Sequence, residues 1–279
     1  MPILTKNKLA NNPKAYDFFG NIALVKFPKG TKIKDKRRFA NKLLKEHKPI
    51  TTVLEKTGRF KGRLRKQQTK YLAGEKTKEI LYKENNCVFR FHIDKTYFSP
   101  RLSNERKEIA SLIKKADNVL VMFAGVGPYS IVIAKNSGAK RVYSNEINRE
   151  ANKYAKLNVE LNRVKNRVIL LNGNIKDVAN KIIRGLKINN EKIPQKFDVI
   201  VMPRPQLKET FLKEAFSLSK KGTRIYYYDF CKEDEIGGLV SKIKNEAKKA
   251  RKKIKILKIK KAGEIAPYKF RIRIDFRVV

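Results

Sequence analysis

From Tyr97 onward, apolar strand-like runs alternate with helical segments, and this rhythm constrains the fold more than any other feature of the chain. VLVMF (119–123) precedes SIVIAKN (130–136), and RVYSNEI (141–147) precedes REANKYAKLNVELN (149–162). RVILLNGN (167–174) then precedes IKDVANKIIRGL (175–186), FDVIVMP (197–203) precedes QLKETFLKEAFSLSK (206–220), and TRIYYYDF (223–230) precedes a long basic helix. Alternation of this kind predicts a parallel sheet covered on both faces. In the segment 206–220, Leu207, Phe211, Ala215 and Leu218 fall on one helical face, as a helix packed on a sheet requires. The end of the chain breaks the pattern. KIKILKIKK (253–261) and KFRIRIDFRVV (269–279), which alternates strictly from Phe270 to Phe276, read as a hairpin with polar outer faces, closing one sheet edge in antiparallel fashion.

The stretch before Tyr97 has a different texture. GNIALVKFP (20–28) reads as a strand, DKRRFANKLLKEH (35–47) as a helix, and EILYK (79–83) and CVFRFHID (87–94) as two strands joined by a turn at 84–86. Between them lies GRFKGRLRKQQTKYLAG (58–74), dense in arginine and lysine. This predicts a small α+β domain over residues 1–96, followed by the alternating domain over 97–279.

Charge narrows the partner. Lys and Arg number 67 against 26 Asp and Glu, a formal charge of +41, and a field of that sign concentrates polyanions, nucleic acid foremost. No apolar run approaches the ~20 residues needed to span a bilayer, and the first residues lack the apolar core of a signal peptide. Cys87 and Cys231 stand far apart and form no ligand pattern, and His47 and His92 are isolated, so neither a metal centre nor a Ser-His-Asp site is expected. A cytoplasmic monomer is the expectation.

Gly125 and Gly127 follow the first strand of the alternating domain, where open α/β sheets hold their ligands. A dinucleotide fingerprint would have a third glycine where Ser130 stands, and Pro128 removes a backbone donor, so the turn suits an adenosine without a pyrophosphate. Glu146 ends the next strand, about 20 residues on, the usual place for a carboxylate on ribose hydroxyls. Asn174 ends the third strand, where a short polar side chain meets an adenine edge. S-adenosylmethionine fits this set better than a nicotinamide.

Three motifs in order, LAGE (72–75), YFSPRLSNER (97–106) and MFAGVGPYS (122–130), with NVELNRV (158–164) and IYYYDF (225–230) beyond, resemble the archaeal and eukaryotic tRNA (guanine-37-N1)-methyltransferases. The likeness runs from about Tyr16 to the end. It implies a class I methyltransferase domain with a Rossmann-like α/β sheet and an antiparallel C-terminal edge, preceded by the small α+β domain contacting RNA. It also implies S-adenosylmethionine as cofactor and tRNA as substrate. Guanine N1 carries a proton and is a poor nucleophile, so methyl transfer wants a base near N1 and a cation or donor near O6. By resemblance, Glu105 is the base, Arg65 serves O6, and Pro205 completes the catalytic set. Tyr97, Phe123, Gly125, Gly127, Glu146, Asn174 and Pro203 line the cofactor. Arg59, Arg63, Arg101, Arg106 and Arg204 face RNA, with Arg101 and Arg106 holding phosphate or orienting Glu105. The late basic helix, Lys244 to Lys253, is a second candidate RNA surface.

The sequence departs from the family in three places. Val121 and Asn174 stand where relatives carry aspartate, and the family's N-L-P motif is here Pro203-Arg204-Pro205. Proline offers no side-chain hydrogen bond, so that contact with the base is lost or moved. Carbon methylation of the tricyclic wyosine precursor, alone or as a second activity, is therefore an alternative expectation, and a catalytically decayed tRNA-binding protein is another. Aminocarboxypropyl transfer ranks third, because the S-P-R motif and the G-P after the turn are both present.

Overall fold

The computed structural model describes residues 13, 15–58, 62, 67–203 and 209–279. Arg59, Arg63, Arg65, Arg204 and Pro205 lie outside the described residues. The chain divides into two compact units, one comprising residues 1–84 and 88–98, the other 85–87 and 99–279.

The first unit holds β1 (Ala15–Phe19), β2 (Ile22–Lys26), α1 (Ile33–Glu46), β3 (Thr52–Lys56), β4 (Thr69–Gly74), β5 (Glu79–Glu84) and most of β6 (Cys87–His92). β1 to β4 form one sheet in chain order, with β2 and β3 parallel across α1 and the outer pairs antiparallel. Ala23, Val25 and Val53 of the sheet bury against Ala40 and Leu43 of α1. The α+β reading holds. It missed β1 and β3, and it placed β4 within a basic run. Gly20 turns the chain between β1 and β2 at φ +57, and a Cβ there would stand 1.8 Å from the Leu81 carbonyl oxygen, so no larger residue fits. β5 and β6 pair as a separate hairpin across Asn85 and Asn86, both at positive φ, the conformation that a tight two-residue turn requires.

The second unit begins with a 3-10 turn (Pro100–Leu102) that runs into α2 (Ser103–Leu112). The alternating elements follow: β7 (Asn118–Val121), α3 (Pro128–Asn136), β8 (Arg141–Glu146), α4 (Arg149–Leu161), β9 (Val168–Asn172), α5 (Ile175–Ile183), β10 (Phe197–Met202), α6 (Leu212–Ser217), β11 (Ser219–Lys232) and α7 (Ile236–Lys249). A hairpin of β12 (Ile254–Ala266) and β13 (Lys269–Val278) ends the fold. The seven strands lie in the order β9-β8-β7-β10-β11-β13-β12. β9 through β11 are parallel, and β13 inserts antiparallel between β11 and β12. Strand order reverses between β7 and β10, so the ligand crevice of such a sheet falls beyond the carboxyl end of β7.

Two expectations are corrected. The helix read over 206–220 is only the six residues of α6. Leu207 lies outside the described residues, and Phe211 takes left-handed backbone at φ +55 ahead of the helix. The Phe197 amide donates to the Leu218 carbonyl (3.0 Å), and Ser219 already pairs with Phe197, so the sheet captures the chain where the apolar period would have continued the helix. Phe211, Ala215 and Leu218 are buried all the same. The second correction concerns the middle of β13, whose polar residues are not solvated: Arg273 is 0% exposed, and Arg271 and Asp275 are buried.

Among the described residues no helix is long and apolar enough to cross a membrane, and no cluster of acidic, histidine or cysteine side chains could hold a metal.

Candidate active site

The glycine turn is built from the centre of the sheet outward. Val119, Leu120 and Val121 of β7 are fully buried between β8 and β10, so the strand cannot shift. Immediately after it, Phe123 (φ +58), Gly125 (φ +60) and Gly127 (φ +87) take left-handed backbone. A non-glycine residue in that region is strained, and such strain gathers at ligand sites. The Phe123 ring meets the Phe211 ring edge-on at 5.1 Å, so two left-handed phenylalanines brace one corner. Pro128 opens α3, where its missing amide hydrogen costs nothing. Ser130 is fully buried with its hydroxyl 2.8 Å from that of Ser144, so it serves the close helix-to-strand packing expected of the third glycine.

Glu146 stands at the end of β8, 6% exposed. Its Oε2 accepts from the Gly125 amide (2.8 Å) and its Oε1 from the Asn148 amide (2.7 Å). A carboxylate has about four acceptor positions, so two remain, enough for the paired hydroxyls of a ribose. Asn174 caps α5 two residues beyond β9 rather than ending the strand, with Oδ1 accepting from the Lys176 amide (3.2 Å). Its amide nitrogen has no partner among the described residues, which leaves a donor for an adenine ring nitrogen. Pro203 follows β10 and is half-buried.

Two asparagines of α4 join this frame without having been singled out as site residues. Asn158, fully buried, donates to the Val126 carbonyl (3.0 Å) and pins the glycine turn from behind. Asn152, also buried, donates to the Glu146 carbonyl (3.0 Å), while its Oδ1 has no partner among the described residues. An orphaned buried acceptor is costly, and this one belongs to the side chain that holds the main-chain carbonyl of Glu146. Both asparagines sit on the apolar face of α4 with Ala151, Ala155 and Val159, which is the signal that could have found them. These features fit S-adenosylmethionine. Gly127→Ala is expected to destabilise the fold by about 1–2 kcal/mol through left-handed strain, since the new Cβ would press Ile131 at 3.2 Å. Urea unfolding with and without the thioether product would check this.

A second cluster surrounds Glu105, in the first turn of α2 and 5% exposed. Its Oε2 accepts from the Tyr228 hydroxyl (3.0 Å) and from Arg273 Nη1 (2.7 Å), and its Oε1 from Lys260 Nζ. Oε2 is thereby saturated, while Oε1 keeps one acceptor position. Arg273 also holds Glu108 (2.7 Å) and Asp275 (2.7 Å). The hydrogen bond from Arg273 holds the Glu108 carboxyl down at about 2. Burial pushes Tyr228 well above the ordinary phenol range and raises Tyr129 as well, so both stay neutral hydroxyls. Arg106 is 1% exposed, donates to the Ser99 carbonyl (3.0 Å) and lies 5.8 Å from the Tyr129 ring. Such burial corrects the phosphate-facing reading of Arg106. Arg101, on the 3-10 turn, is exposed.

Other sequence candidates lie elsewhere. Tyr97 is half-buried near the end of the first unit. α7 ends at Lys249, and Lys252 lies close to Lys196, just before β10 begins. The basic end of that helix therefore sits at the amino end of the sheet, away from the glycine turn.

Comparison with known proteins agrees with this geometry. Residues 80–257 match the TRM5/TYW2 methyltransferase domain, and residues 2–77 match the TYW2 N-terminal domain. The chain is 36% identical over 307 residues to the tRNA (guanine(37)-N(1))/4-demethylwyosine(37)-methyltransferase Taw22 of Nanoarchaeum equitans, covering 95% of this chain and 100% of the relative. It is 33% identical to the tRNA (guanine(37)-N(1))-methyltransferase Trm5b of Pyrococcus abyssi, across 95% of this chain and 75% of that one. The crystal structure of the Pyrococcus abyssi Trm5b superposes with a TM-score of 0.79 at 31% identity, over 95% of this chain and 75% of the other.

Proposed function

The chain belongs to the TRM5/TYW2 methyltransferase family, and on that premise we propose that it transfers a methyl group from S-adenosylmethionine to N1 of guanosine-37 in tRNA, acting as a cytoplasmic monomer. The observation that carries the cofactor half is Glu146, tied to the Gly125 and Asn148 amides with two acceptor positions left over beside the turn that follows β7. The acceptor half rests on the motif resemblance and on the activities named for the relatives.

S-adenosylmethionine, when bound, supplies an electrophilic methyl group on a sulfonium. The chain's own residues do the rest. Glu146 accepts the ribose hydroxyls, Asn174 donates to the adenine edge, and Phe123, with Tyr97 and Pro203, bounds the cofactor. The glycines at 125 and 127 allow close approach. Glu105 takes the N1 proton at Oε1, the oxygen with an open acceptor position. Arg65 stabilises the charge that develops on O6, and Pro205 shapes the base pocket. Arg59, Arg63, Arg101 and Arg204 meet phosphate. Reading a guanine within a stacked loop requires flipping it out.

Pro203 favours a second reading, carbon methylation of the tricyclic precursor as an added activity, because the family's asparagine contact to the base is missing. One experiment tests both: incubate the protein with labelled S-adenosylmethionine and unmodified tRNA or tRNA carrying the precursor, digest, and identify the nucleoside. Label at guanine N1 supports the first reading, and label on the tricyclic base as well supports the second. No label on either, with RNA binding intact, overturns both. Binding to tRNA should also be steeply salt dependent, with ~6–10 phosphate contacts losing about 10³–10⁵ in affinity between about 50 and 200 mM salt. Filter binding across that range would show it.

A further inference from the structure

We infer that Lys260 and Arg273, on the β12–β13 hairpin, are positioning residues that fix which oxygen of Glu105 receives the proton. This rests on the reading of Glu105 as the base. The hairpin reaches α2 across the sequence: Arg273 lies 168 residues from Glu105 and Lys260 lies 155 from it. Arg273 is fully buried and distributes its guanidinium over three carboxylates, Glu105, Glu108 and Asp275. A fork of fixed donors gives orientation as well as charge. With Tyr228 it saturates Oε2, so only Oε1, held by Lys260 alone, can accept a proton.

The groups that bond Glu105 are Tyr228 of β11, Lys260 of β12 and Arg273 of β13, and Arg273 is shared with Glu108 of α2 and Asp275 of β13. Tyr129 of α3 stands beside Tyr228. Tyr129 and Tyr228 remain protonated and Glu108 remains ionised across the neutral range, so none of these three produces a titration there. Asp275 is pushed up by burial but bonded to Arg273.

The primary variant is Lys260→Met, because Lys260 lies on the edge strand with its side chain 31% exposed. Arg273→Lys, which keeps the charge and loses the fork, is the second. Expected for Lys260→Met is a fall in kcat of about 10²-fold, the cost of a misplaced catalytic group, with the KM for S-adenosylmethionine unchanged. Lys260→Arg should restore kcat. Expected for Arg273→Lys is a lower kcat with the same KM, and thermal unfolding still cooperative. If Lys260→Met and Arg273→Lys both keep the wild-type kcat while Glu105→Gln is inactive, the positioning role is overturned and the base reading survives. If Glu105→Gln itself remains active, the base reading falls first.

Discussion

Glu146→Ala should weaken binding of S-adenosylmethionine about 100-fold or more, since losing a charged acceptor costs about 1.5–3 kcal/mol per hydrogen bond and each 1.4 kcal/mol is a factor of ten. The loss has two sources. The ribose hydroxyls lose their acceptor, and the Gly125 and Asn148 amides, which now donate to Oε2 and Oε1, are left unpaired in a buried corner. The turn that Glu146 anchors would then relax. Glu146→Gln separates the two sources, because its single oxygen can serve only one of the two amides and its nitrogen would confront the other. Calorimetric titration with S-adenosylhomocysteine measures both variants. An affinity for Glu146→Ala close to that of the unaltered chain would remove Glu146 from the cofactor site, and with it the main support for the cofactor's position.

The second large effect is expected at Glu105. Glu105→Gln should lower methyl transfer about 10²–10⁴-fold, the usual contribution of a positioned proton acceptor, while the affinity for S-adenosylmethionine hardly changes. Glutamine keeps the shape but cannot take the proton, and it presents a nitrogen where Lys260 or Arg273 expects an acceptor. Some loss of stability should accompany the change, so transfer is to be compared below the unfolding transition of the variant. Single-turnover rates at saturating cofactor and tRNA make the comparison. Transfer near the wild-type rate in a folded Glu105→Gln would strip Glu105 of the base assignment and leave it a structural partner of the hairpin.

Much of this is legible in the amino-acid sequence. The strand–helix rhythm points to the parallel sheet because β7 and β10, at its centre, are buried on both faces and therefore read as continuous apolar runs. The glycine turn and Glu146 were legible because left-handed backbone and a strand-end carboxylate leave residue-type signatures at fixed spacing. The polar face of β13 misled for a physical reason. Period-two alternation reports that Arg271, Arg273 and Asp275 share a face, not what covers it, and here α2 brings Glu105 and Glu108 over Arg273. The shortened α6 was hidden because Phe211, Ala215 and Leu218 keep a helical period although the sheet takes the chain at Ser219. Asn152 and Asn158 escaped because an amide on a helix reads as a surface residue unless its apolar neighbours on the same face are counted.

The strand carrying Arg273 leaves the ribosome after every other element described here, yet it wedges between two that precede it. A nascent chain can therefore assemble its glycine turn long before Glu105 acquires its countercharges. Until then α2 carries two acidic groups, Glu105 and Glu108, that lack Arg273 and Lys260 as counterions. Folding should thus finish with a late closure step between distant parts of the sequence, the slow kind of contact, and readiness for chemistry would be the last property the protein acquires.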